Sequence, residues 1–116
     1  MEPLARTIIY YESEDGAYPA FEWLESLKDK KTWIIIKGRI RRLEEGNFGH
    51  TRNLGDGITE LKIDYGPGYR VYLGLDDGRL VVILVVGDKS TQSKDIKTAK
   101  SRWKDYQEKQ KWKKRK

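Results

Sequence analysis

The sequence has no cysteine, a single histidine, only three prolines and no long hydrophobic run. Without cysteine there is neither a disulfide framework nor a thiolate metal site. One histidine leaves a structural zinc site without its usual donors, and no carboxylate spacing suggests a metal centre. Spanning a bilayer takes about 18 consecutive apolar residues, whereas the main apolar stretch here is LVVILVV at Leu80–Val86. The opening MEPLARTIIYYESEDG carries an acid at position 2 and lacks an apolar core, so no export signal is expected and the chain reads as soluble and cytoplasmic. Negative charge is also in deficit: 18 Asp and Glu stand against 24 Lys and Arg, for a formal charge of +6. That excess favours an anionic partner such as nucleic acid.

What remains suits one domain. Of 116 residues, 37% are hydrophobic, enough for a modest core. Residues 1–108 read as a single unit and 109–116, ending KQKWKKRK, as a basic tail too charged to pack, expected to be disordered. RTIIYY at Arg6–Tyr11 is β-branched and aromatic and predicts a first strand. YPAFEWLESLKD places Pro19 where a first helical turn tolerates it and predicts a short helix. A second helix is expected over Asp29–Glu45, its apolar stripe Trp33, Ile36, Ile40 and Leu43, its end marked by Gly46, its outer face a basic band that includes Lys37 and Arg41. The Gly- and Asn-rich NFGHTRNLGDG predicts a loop.

Then ITELKIDY and YRVYLGL alternate strictly. Thr59, Leu61 and Ile63 share a face, as do Tyr69, Val71 and Leu73; Glu60, Lys62, Arg70 and Tyr72 fall on the other. DDGR signals a hairpin, and LVVILVV reads as a central strand. A last helix follows, weakly amphipathic through Ile96, Ala99, Trp103 and Tyr106. The expected fold is α+β: a strand and two helices, then a three-strand antiparallel meander and a C-terminal helix, with the helices on one side of the sheet. The other side is expected to be an open cationic face holding Lys62, Arg70 and Tyr72, with Lys89 at its edge.

This order of elements, with LKIDYGPGYRVYLG followed by VVGDKSTQSKDIKTAK, resembles the RelE/ParE superfamily of toxins from bacterial toxin–antitoxin modules. The nearest likeness is to the phage-associated, HigB-like addiction module killer subgroup, and it extends from Ile8 to about Trp103. The resemblance implies a RelE-like fold and a metal-independent endoribonuclease that needs no cofactor and cuts messenger RNA on the ribosome. It implies attack of a ribose 2′-hydroxyl on the adjacent phosphate. It also implies a separate antitoxin, in this subgroup usually a helix-turn-helix protein.

On the same basis Arg70 matches a phosphate-binding arginine, Lys89 a second cation at the strand end, and Lys62 the available base. Asp95 stands where RelE has a tyrosine, which leaves the proton donor open among Tyr72, Asp95 and His50. Lys37, Arg41 and Tyr72 are the expected RNA contacts. Two other functions compete: a ParE-like inhibitor of DNA gyrase that does no chemistry, and an inactive relative that only binds RNA or antitoxin.

Overall fold

Two stretches of the backbone stop where their residues dictate. In the computed structural model, which describes residues 5–114, Asp29 caps the second helix by accepting from Lys31 N–H and Thr32 Oγ1 at 3.2 and 2.7 Å. Gly46 ends that helix at φ 80°, with Gly46 N–H bonding Leu43 O and Asn47 N–H bonding Arg42 O. Those paired bonds close the helix in the manner glycine makes possible.

The chain runs β1 (Thr7–Tyr10), α1 (Pro19–Glu25), α2 (Lys30–Glu44), β2 (Thr51–Gly55), β3 (Ile58–Ile63), β4 (Tyr69–Asp76), β5 (Leu80–Asp88), a 3₁₀ turn (Lys89–Thr91) and α3 (Gln92–Lys114). One five-stranded sheet has the order β1-β5-β4-β3-β2, antiparallel throughout except that β1 runs parallel to β5. The α+β class and the β3–β5 meander agree with expectation.

Three features differ from expectation. First, the supposed loop contains β2, paired with β3 through Thr51↔Leu61 and Asn53↔Thr59. Gly55, Asp56 and Gly57, all at positive φ, turn the hairpin. The turn residues were legible, but the strand before them earns its place by pairing with β3 and has no apolar pattern of its own.

Second, the helices cover both sides of the sheet. Leu24 of α1 and Ile36, Ile40 and Leu43 of α2 pack on Leu61, Val71, Leu73 and Ile83. On the opposite face Ala99, Trp103 and Tyr106 of α3 cover Ile58, Tyr72, Val82 and Leu84. The face expected to be open is therefore largely a second core. A bulge in β5 permits this, since Tyr72 pairs with Val85 but Leu73 with Ile83. The extra residue changes the phase of alternation: Val81, Ile83 and Val86 meet α2, while Val82, Leu84 and Val85 meet α3.

Third, α3 continues to Lys114, through most of the segment expected as a disordered tail; residues 115–116 lie outside those described. Among the described residues, no helix is long and apolar enough to cross a membrane.

Candidate functional site

Where α3 begins, it leaves part of the β3–β4 surface uncovered. A polar cleft of about 330 Å³ opens there, lined by His50, Thr51, Arg52, Glu60, Lys62, Arg70 and Gln92. β2 and the residue before it supply His50 and Arg52, β3 supplies Glu60 and Lys62, β4 supplies Arg70, and the first turn of α3 supplies Gln92. Three cations face one carboxylate.

That carboxylate is the hub. Glu60 Oε1 lies 3.2 Å from Arg52 Nη2, and Glu60 Oε2 accepts from Gln92 Nε2 at 2.9 Å. Arg70 Nε stands 3.8 Å from the same Oε2, with the two side chains only 8% and 5% exposed. Arg70 Nη1 donates to Gly68 O at 2.7 Å, a carbonyl of the turn just before its own strand. Arg70 Nε has no hydrogen-bond acceptor. Buried donors in native proteins are normally satisfied; this one has no accessible surface and faces the Glu60 carboxylate at ion-pair distance.

The other expected site residues are distributed as follows. Lys62, the register partner of Arg70, lies with Nζ 3.6 Å from Asp64. His50 lines the cleft, and its backbone carbonyl accepts from Lys62 N–H at 3.0 Å. Lys89 begins the 3₁₀ turn and does not itself line the cleft; a Cβ built on Gly68 would lie 3.2 Å from Arg70 Nη1 and 3.9 Å from Lys89 Cβ, which places the base of its side chain beside the same turn. Asp95 does not line the cleft. It accepts from Thr91 Oγ1 at 2.6 Å and packs on Gly87, the register partner of Arg70.

Tyr72, expected as an exposed RNA contact, is fully buried beneath α3, and its hydroxyl lacks a hydrogen-bond partner. Burial, then the negative charges of Glu60 and Asp95, push its ionisation well above the ordinary range. A ring with no exposed surface cannot stack on a base. Arg70 itself is buried rather than displayed on an open face. Lys37 and Arg41 stand on α2, in the layer opposite the cleft; Lys37 Nζ lies 5.5–5.7 Å from the ring centroids of Phe21, Trp33 and Tyr10.

Arg52 and Gln92 are not signalled by the sequence, and Glu60 is signalled only as an ion-pair partner for Arg70, the pairing seen at 3.8 Å. Alternation in β3, which puts Glu60 beside Lys62, carried that signal. Arg52 lay in the segment read as loop, and Gln92 reaches Glu60 only because α3 crosses this face. Among the described residues no group of three or more His, Asp or Glu is arranged to hold a metal ion.

Comparison with known proteins adds two findings. A family model described as Phage derived protein Gp49-like (DUF891) matches residues 22–104, a span that contains the whole cleft. An uncharacterized protein of Haemophilus influenzae is 55% identical over 78 residues, covering 67% of this chain and 79% of that protein.

Proposed function

The chain belongs to the phage-derived Gp49-like family, part of the RelE/HigB-like toxin group associated with toxin–antitoxin modules, and from that premise we propose that it is a toxin that cleaves messenger RNA in the Arg70 cleft. The observation that carries this reading is the cleft itself, which Arg52, Lys62 and Arg70 line with a single carboxylate, Glu60. A phosphodiester entering the cleft meets complementary charge.

In the proposed reaction the ribose 2′-oxygen forms a bond to the adjacent phosphorus while the bond to the 5′-oxygen breaks. The products are a cyclic phosphate and a free 5′-hydroxyl. Arg70 holds the phosphate, and Lys89 adds charge from the rim as the transition state becomes more negative. Two protons must move. We assign removal of the 2′-hydroxyl proton to His50, which lines the cleft, in place of Lys62, the base the resemblance implies, because Lys62 is ion-paired with Asp64. The 5′-oxygen receives its proton from Lys62, whose ammonium is held beside the Asp64 carboxylate. Glu60 does no chemistry in this scheme; it anchors the guanidinium.

The test is single-turnover cleavage on programmed ribosomes with the product ends identified. Cyclic-phosphate and 5′-hydroxyl ends are expected, with binding that weakens as salt rises because phosphate contacts release counterions. Inhibition of gyrase supercoiling with no RNA cleavage would overturn the reading in favour of a protein-directed poison. Binding of RNA without cleavage would reduce it to an inactive relative.

A further inference from the structure

β1 is an edge of the sheet, and among the described residues it pairs with β5 alone. Thr7 and Tyr11 send their N–H groups inward, to Arg79 O and Ile83 O at 3.0 and 2.9 Å. In a parallel ladder alternate residues do this, so the N–H groups of Ile8 and Tyr10 point to the outer side. Such an edge is a template for another strand, usually guarded by charge, proline or a covering element. Here Arg6 N–H bonds Glu44 O at 2.8 Å at the start of the strand. Thr7–Tyr11 itself contains neither charge nor proline.

An apolar groove lies on each side of this edge. One, of about 560 Å³, is bounded by β1, α1 and α3, with Tyr18, Phe21 and Tyr106 in its walls. The other, of about 510 Å³, lies between β1 and α2, with Trp33 and Ile34 in its walls. Tyr10 lines both. Tyr18, Phe21 and Ile34 are 44%, 39% and 56% exposed, three of the four large hydrophobic side chains that are exposed among the described residues. Their clustering marks an interaction surface. A strand laid along β1 projects successive side chains to opposite faces, so each groove would receive one set. A helix, with a single apolar stripe, would fill only one groove.

Charge selects the occupant. The grooves bring Lys37, Arg41, Lys109 and Lys113 to this edge against Glu12 and Glu44, with Asp105 3.0 Å from Lys109. A second copy of the chain would meet those cations with the same cations. We propose that the β1 edge docks an acidic, extended segment of another protein, which adds as a further strand and seats alternate apolar side chains in the two grooves. The cleft lies toward the other edge, on β2–β4, so this surface does not depend on RNA cleavage.

The test uses the full, isotope-labelled chain and a short synthetic peptide in which pairs of valines alternate with pairs of glutamates, so that both faces of the strand carry valine, beside a valine–lysine counterpart, at about 0.15 M ionic strength to screen loose attraction. We expect shift changes and slowed amide exchange at Ile8 and Tyr10. The lysine peptide should bind about tenfold more weakly or worse, and Arg41→Glu combined with Lys113→Glu should weaken the acidic peptide by a similar factor. Ile34→Asp, at an exposed helix position, should also weaken binding while circular dichroism stays unchanged. The proposal is overturned if the acidic peptide does not bind, if both peptides bind equally, if the shifts centre on the Arg70 cleft, or if the chain pairs with itself through β1.

Discussion

Glu60 and Arg70 lie diagonally across β3 and β4, both buried, with carboxylate and guanidinium 3.8 Å apart. The pair is lopsided. Glu60 keeps Arg52 and Gln92 if Arg70 is lost, whereas Arg70 keeps the Gly68 carbonyl if Glu60 is lost. Removing one member of a buried pair leaves an uncompensated charge at a cost of about 3 kcal/mol or more. Glu60→Gln is therefore expected to lower the urea midpoint substantially at unchanged m-value, and Arg70→Met to lower it less. Equal losses would contradict this asymmetry.

For catalysis, Arg70→Lys keeps a charge beside Glu60 but loses the planar fork that matches phosphate oxygens. Cleavage is expected to fall by about 100-fold or more in single-turnover rate. Lys89→Arg, on the exposed rim, is expected to remain active. Full activity in a folded Arg70→Lys protein would remove the cleft from the mechanism.

Alkaline pH should unfold the protein through its tyrosines. Burial, and then the hydrogen bond to Asp105 at 2.5 Å, raises Tyr11 from 10.0 to about 12. Tyr72 and Tyr106 are raised as well, again led by burial. A raised value means the folded state holds the phenolic proton where the unfolded chain would release it. The stability these groups contribute is whole below pH about 10 and is lost as pH climbs toward about 12. Urea midpoints across that range should fall, less steeply in Tyr11→Phe.

Two glycines should respond in opposite directions. A Cβ at Gly74 would come within 2.5 Å of the Trp103 ring, which lies flat on β4. Gly74→Ala should destabilise by roughly 1–3 kcal/mol, as overpacked cores do, and alter Trp103 fluorescence. At Gly38, inside α2 and exposed, an added Cβ meets nothing within 4 Å. Gly38→Ala should stabilise by up to about 1 kcal/mol. Thermal melts of both variants decide the matter.

Local pattern carried much of this protein. Alternation in Thr59–Ile63 and Tyr69–Leu75 assigned the strands and their faces, Asp29 and Gly46 bounded α2, and the YGPGYRVY run carried the family resemblance. These signals lie within a few residues of one another, where dihedral preference and side-chain period act directly. Burial on the second face was a different kind of fact. Arg70 and Tyr72 alternate like solvent-facing residues, and only the crossing of α3, with Trp103 seated on Gly74, makes that face a core. The same crossing brings Gln92 to Glu60 across 32 positions, and β2 brings Arg52 to it from a segment with no apolar pattern. The kinds of residue the site would use were written in the sequence, but which charges meet depended on contacts between distant segments, because electrostatic pairing follows distance in space and not along the chain.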